Sequence, residues 1–403
     1  MHTIPENDSS VIKKAFSWWK IWIAIFLGLS IASWMKYRSL NQQQLIPVEE
    51  GKGDYSWIKS SSSTVPNLKN LSDFKPHLGG DYKIETLSDT LSSIEWTKSA
   101  FFWLFMAILC MIGRDFFYIL RIRLLTKNEL SFKSSFNVIM LWEFASALAP
   151  GVISGATVAM FILNREKVAL GRSTAIVIIT AFMDNLFYVL LIPFVFLFIS
   201  QNFLFPSNLT GSTGVQFVFW IAFSIKIILC IFLFSSLFLF PALTSKFLSF
   251  IFSLPFLNKW HSSAVKTSEE IEIASKIFRK EPFSFWLKTF FVTAGSWISR
   301  YLVINCILNA FLHLDLFTNI QILGKQLVLW LLMMISPTPG GSGVAEYAFG
   351  ELMSTFSSSA ILIAVLAILW RLISYFPYLF IGAVLLPKWL KKDSRLVDSR
   401  FQD

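Results

Sequence analysis

Ten charged residues fall within or beside long apolar stretches of the chain: Arg114, Asp115, Glu143, Asp184, Lys226, Arg300, Lys325, Glu346, Glu351 and Arg371. A charge at bilayer depth costs roughly 3 kcal/mol even on the mildest insertion scale, so each is expected to face a partner or a water-filled cavity. The ten divide evenly between basic and acidic residues, which permits full pairing, and packing ion pairs are the plain reading for any one of them. Arg114 and Asp115 lie near the end of their apolar stretch and are expected to snorkel to the interface. Lys226 is mid-stretch on a stem long enough to do the same. Arg300 and Arg371 have apolar runs on both sides. An arginine fork suits a phosphate and keeps its charge when buried, so one or both are candidates for holding a lipid headgroup. Glu143 and Asp184 are candidates for carrying a proton or an aminated headgroup.

A second feature is chemical in a different way. Pro337-Thr338-Pro339-Gly340-Gly341-Ser342-Gly343 interrupts an apolar stretch. Glycines there admit unusual backbone angles and close approach of a ligand, and the helix expected next would present free N–H groups and a positive dipole end. Glu346 falls in the first turn of that helix, as a cap or as a carboxylate facing the cavity. Pro150 and Gly151 interrupt an earlier stretch in the same manner.

These residues need elements to hold them, and hydropathy supplies a scheme. Full crossings are expected at residues 18–35, 98–120, 173–200, 215–240, 288–312 and 359–386, each close to the ~20 residues a bilayer requires. Residues 134–163 and 320–356 each hold two shorter apolar pieces about a Pro-Gly tip. Basic flanks place the first pair on the inner face and their scarcity places the second on the outer face. The expectation is an all-α polytopic membrane protein of six transmembrane helices and two opposed re-entrant hairpins forming an inverted repeat, the arrangement that marks a midplane site in transporters. Residues 1–17 and 391–403 are then cytoplasmic, 241–287 form a cytoplasmic connector, and 36–97 form a polar extracytoplasmic insert in which the run Ser60–Thr64 reads as loop.

Composition agrees: of 403 residues, 55% are apolar, only 15% are charged and 42 are Phe. A soluble chain carries about a quarter charged residues, so a soluble nucleic-acid binder and a secreted disulfide scaffold are excluded. The net charge of +10 sits mostly on one face, Lys388, Lys391, Lys392, Arg395 and Arg400 among it, which is an orientation signal. Three cysteines and four histidines, none at ligand spacing, give no reason to expect a metal or cofactor. No nucleophile elbow or phosphate loop occurs, and no enzymatic activity is expected.

The run Ser336-Pro-Thr-Pro-Gly-Gly-Ser-Gly-Val-Ala-Glu346 resembles the signature of the flippase-like family named after the transmembrane region of lysylphosphatidylglycerol synthase. Arg371-Leu-Ile-Ser-Tyr-Phe-Pro-Tyr-Leu-Phe-Ile-Gly382 is similar to that family's last span, and Ala149-Pro150 with Ala181-Phe-Met-Asp184 to its first hairpin and following span. The resemblance covers about residues 98–390. It implies a bacterial cytoplasmic-membrane protein that moves, or assists the modification of, phospholipids or glycolipids. It singles out Pro339, Gly340, Gly341, Gly343, Glu346 and Arg371, then Pro150 and Asp184. No soluble transferase domain is expected after the last span, so aminoacylation is not. Lipid translocation is the expected function. An accessory subunit docking a protein partner through residues 36–97 is the first alternative, and an ion-coupled solute carrier the second. The lipid, the coupling and the oligomeric state stay open.

Overall fold

The computed structural model describes residues 45–58, 70–148, 152–205, 212–240, 275–312, 314–336, 338–357 and 359–398, with scattered positions between them. The expected crossing at 18–35, most of the connector, and the tip residues Pro150, Gly151 and Pro337 lie outside these stretches.

The insert corrects the all-helical expectation. Strands β1 (Leu45–Pro47), β2 (Gly53–Trp57), β3 (Phe74–Gly80) and β4 (Tyr82–Ile84) form an antiparallel sheet in the order β1-β4-β2-β3. The two prolines stand in its edge strands, Pro47 in β1 and Pro76 in β3. There a missing N–H costs no ladder bond and discourages further pairing. Helix α1 (Leu87–Ser93) follows, capped by Thr86, whose hydroxyl accepts the Asp89 N–H.

The remainder is helical: α2 (Lys98–Leu125), α3 (Phe132–Leu148), α4 (Val152–Arg165), α5 (Leu170–Phe196), α6 (Ser212–Phe234), α7 (Phe283–Leu312), α8 (Leu316–Ile335), α9 (Val344–Met353), α10 (Ala360–Ser374) and α11 (Phe376–Asp398). Side-chain caps begin several of them, Thr97 for α2, Asp315 for α8 and Ser359 for α10. Each supplies an oxygen to an N–H that the helix cannot satisfy itself. Pro377 coincides with the break between α10 and α11, where Tyr375 leaves helical geometry. Pro193 lies within α5, which ends three residues later.

Six helices among the described residues are long and apolar enough to cross a membrane: Lys98–Leu125, Gly171–Phe196, Gly214–Leu239, Phe283–Leu312, Leu316–Met334 and the combined Ala360–Leu390. Leu316–Met334 differs from expectation, because α8 starts before Ile320 and its 20 residues exceed a half-span. The lipid-facing character is visible in Phe101, Phe105, Ile112, Ile228 and Phe380, all exposed apolar side chains. α2 and α7 lie antiparallel, with Arg121 beside Thr293 at one end and Trp96 edge-on to Phe311 at the other. α3 packs on α4 and α11, α8 on α9, and the second tip on α3.

Candidate functional site

The deepest polar feature begins on α2. Arg114, with 0% side-chain exposure, lies 2.5 Å from Glu143 of α3 and 2.8 Å from Asp115, and donates to the Tyr378 hydroxyl at 2.6 Å. The Tyr378 hydroxyl in turn donates to the Asp115 carboxylate. Two turns further along α2, Arg121 meets Asp184 of α5 at 2.6 Å. Asp184 also accepts the Trp297 indole N–H at 2.9 Å. The Tyr118 ring lies between the two α2 arginines, 4.6 Å from each guanidinium. From α7, Arg300 approaches Glu143 at 3.5 Å and sits over the Trp297 and Trp330 rings at 5.1 and 4.8 Å. Charged groups and aromatic faces thus close a circuit among α2, α3, α5, α7 and α8. Within it the arginines of α2 are covered. The carboxylates Asp115, Glu143 and Asp184 keep 20, 23 and 25% of their side-chain surface.

A second cluster builds the glycine-rich tip. Arg371 of α10 donates from Nε to Glu346 Oε1 at 2.7 Å and from Nη2 to the Gly340 carbonyl at 2.8 Å, with Ser342 Oγ at 3.3 Å. Glu346 Oε2 accepts the Gly343 N–H at 2.5 Å, so the carboxylate caps α9 and neutralises Arg371 together. Gly340 has φ of 59°, and a Cβ there would fall 2.2 Å from the Tyr375 ring. Both the left-handed backbone and the close approach require glycine. Tyr375 in turn donates to the Ala147 carbonyl near the end of α3, tying the second tip to the first paired helices.

The residues singled out by the sequence fall into two groups. Glu143, Arg300 and Asp184 come together in the circuit; Arg371 and Glu346 form their own pair beside Gly340, Gly341 and Gly343. Arg114 does not snorkel, because Glu143 and Tyr378 hold it inside. Lys226 also turns inward, toward Asn185 Oδ1 at 3.3 Å and the Tyr188 ring at 4.4 Å. Lys325 is buried without a carboxylate among the described residues, bonded to Thr355 Oγ1 at 2.7 Å between the Phe203 and Phe356 rings. Arg121 lies just past the crossing expected at 98–120, yet it is helical and pairs with Asp184. Its spacing of seven from Arg114 puts the two on one face of a helix, a signal the sequence does contain. Trp297, Trp330 and Tyr378 carried no such signal.

The match to known families lies over these clusters. A family model described as the lysylphosphatidylglycerol synthase TM region matches residues 82–382. The chain belongs to this family. The matched stretch takes in every residue of both clusters and leaves β1, β2 and β3 before it, so these three strands lie outside the family's common part. A UPF0104 membrane protein of Archaeoglobus fulgidus is 25% identical over 310 residues, covering 73% of this chain and 90% of the relative. No solved structure matches. As a member of the lysylphosphatidylglycerol synthase transmembrane-region family, the chain is a multi-pass membrane protein.

Proposed function

We propose that this protein moves a phospholipid or related lipid between the leaflets, the headgroup passing along the α2 circuit while the acyl chains stay in lipid. The observation that carries this is the asymmetry of the circuit. Its α2 arginines are buried as counter-charges, and three carboxylates at span depth remain reachable. Groups serving only to fasten helices would be covered on both sides, since an exposed ion at that depth costs free energy unless water or a polar ligand reaches it. In this reading α3 with α4 act as a re-entrant hairpin, opposed as an inverted repeat by the glycine-rich tip and α9, which follow an α8 long enough to cross. The basic tail sets both termini in the cytoplasm of a bacterial cell, and neither cofactor nor covalent chemistry is involved.

The test is translocation of fluorescent phosphatidylglycerol, phosphatidylethanolamine and an aminoacylated lipid in proteoliposomes, wild type beside Glu143→Gln and Asp184→Asn. Wild-type acceleration lost in both variants supports the reading. Folded protein that accelerates none of the lipids overturns it.

A second reading has its own observation. Glu85, buried at the end of the sheet, accepts hydrogen bonds from Thr90 and from Ser359, the cap of α10. The insert is therefore fastened to the membrane helices, as suits an accessory subunit that docks a lipid- or glycan-modifying enzyme. Co-purification of such an enzyme, with no translocation by the chain alone, favours that reading.

A further inference from the structure

The two span-depth arginines singled out by the sequence are in opposite states. Arg371 is held on two of its three nitrogens: Nε and Nη2 are bonded to Glu346, Gly340 and Ser342, and 6% of its side chain is exposed. Among the described residues Arg300 has a single ionic contact, at 3.5 Å, and 15% exposure. Among the same residues its Nε is buried without an acceptor, and so is the indole Nε1 of Trp330, the ring beneath it. Arg114 and Arg121 also leave Nε unpaired among them. Nη1 of each, however, is bonded at 2.6 Å, Arg114 Nη2 has its ionic contact to Glu143, and 0 and 5% exposure leaves no approach. Two neighbouring buried donors lacking an acceptor are unusual, because each unmet group carries a desolvation penalty.

The circuit's three arginines, Arg114, Arg121 and Arg300, match its three carboxylates, Asp115, Glu143 and Asp184, and Lys226 stands beside it on Asn185. Glu143 does not close the site around Arg300, because its nearer contact is Arg114 at 2.5 Å.

We infer that Arg300 and Trp330 form the seat of a phosphate-ester monoanion, with Trp297 as the second wall. The phosphate oxygens accept Arg300 Nε–H and the Trp330 indole N–H, and the two rings hold the guanidinium plane in place. This site rests on the translocation reading for its path, and it makes Arg371 a positioning residue of the tip instead of a ligand group. The same chemistry fits a lipid headgroup or a soluble phosphate ester.

The experiment uses the full chain, delipidated in detergent, with binding followed by native mass spectrometry and thermal shift. Probes are phosphatidylglycerol, diacylglycerol of the same chains, and glycerol phosphate. Phosphatidylglycerol retained by wild type, diacylglycerol not retained, and retention weakened at least tenfold by Arg300→Gln are expected, since hydrogen bonds to a charged group are the strong ones. Trp330→Phe keeps the ring, removes only the N–H, and is expected to weaken retention severalfold. It decides the matter should Arg300→Gln fail to fold. Saturable binding of glycerol phosphate alone identifies a soluble ester as the occupant of the same seat. Phosphatidylglycerol held equally by wild type and both folded variants, or diacylglycerol held as well as phosphatidylglycerol, overturns the site. Arg300-dependent binding without translocation overturns the transport reading and leaves the seat standing.

Discussion

Arg371 and Glu346 are bonded at 2.7 Å, and the carboxylate's second oxygen takes the Gly343 N–H at 2.5 Å. One side chain thus ends a helix and cancels a buried charge. Breaking a buried pair from one side leaves the other charge stranded, which costs about 3–5 kcal/mol. Arg371→Ala is therefore expected to lower the unfolding temperature in detergent before any transport defect can be read. Arg371→Leu combined with Glu346→Gln keeps the cap acceptor, removes both charges, and should recover most of the loss. An Arg371→Ala protein as stable as wild type would contradict the pairing.

The same logic of contact applies where α3 meets α11. A Cβ on Gly382 would lie 2.1 Å from the Phe144 ring, so Gly382→Ala forces the helices apart. Overpacking of this kind costs about 1–3 kcal/mol. Adding Phe144→Leu should return part of it, and a double-mutant cycle on thermal unfolding measures the coupling. Additive effects of the two changes would disprove direct contact.

Ser359 has two duties, accepting the Leu362 N–H at 2.9 Å as the cap of α10 and donating to Glu85. Ser359→Ala is expected to cost about 1–2 kcal/mol as a lost cap. It should also loosen the insert, raising amide exchange across Leu87–Ser93 more than across α2. Equal exchange in wild type and variant would mean that the insert is held by other contacts.

How much of this was legible beforehand depends on range. Lengths of apolar runs located the spans around residues 98–120, 173–200, 215–240, 288–312 and 359–386, because a bilayer demands continuous apolarity. The equal number of acids and bases at span depth permitted full pairing, which Lys226 and Lys325, bonded to Asn185 and Thr355, do not follow. Partners were not legible: that Arg114 reaches Glu143 and Tyr378 is decided by helix packing across 29 and 264 residues. Arg121 escaped because a hydropathy boundary marks the edge of lipid, whereas α2 runs on to Leu125. The sheet escaped because β1 and β4 have three residues each, too short for an alternating pattern to register. The length of α8 was missed for a related reason, since Thr318 and Asn319 interrupt the apolar run before Ile320, and Leu316–Asn319 joins the helix only once Asp315 is seen as its cap.

That cap is pH-dependent. Hydrogen bonds from the Thr318 hydroxyl and N–H hold the Asp315 carboxyl below the usual range. A depressed folded value means the contribution is fully present above the unfolded pKa and is lost as pH falls through the folded one. The first turn of α8 is therefore expected to fray below about pH 4. Amide exchange at Thr318 and Asn319, followed with pH, should show it. Asp315→Asn, which caps without titrating, should flatten the profile. A wild-type profile that is already flat would remove Asp315 as the controlling group.

Asp184 joins three helices at one carboxylate, Arg121 of α2 at 2.6 Å and Trp297 of α7 at 2.9 Å. Asp184→Asn retains an acceptor for the indole but removes the charge opposite a nearly covered guanidinium. Because a quarter of the Asp184 side chain is exposed, water relieves part of the penalty. The expected loss is about 2 kcal/mol, below the full cost of a stranded buried ion. Arg121→Gln alone should cost a similar amount, for the complementary reason. The pair Arg121→Gln with Asp184→Asn replaces two charges by amides able to bond each other, and should be less destabilised than the sum of the two. The coupling is read from thermal unfolding of the four proteins in one detergent. Arg121 and Asp184 then separate stability from transport. If the double variant is as stable as wild type yet translocates no lipid, the carboxylate acts on the headgroup. If stability and translocation recover together, it acts through the fold, and Glu143 and Asp115 become the remaining carboxylates to test.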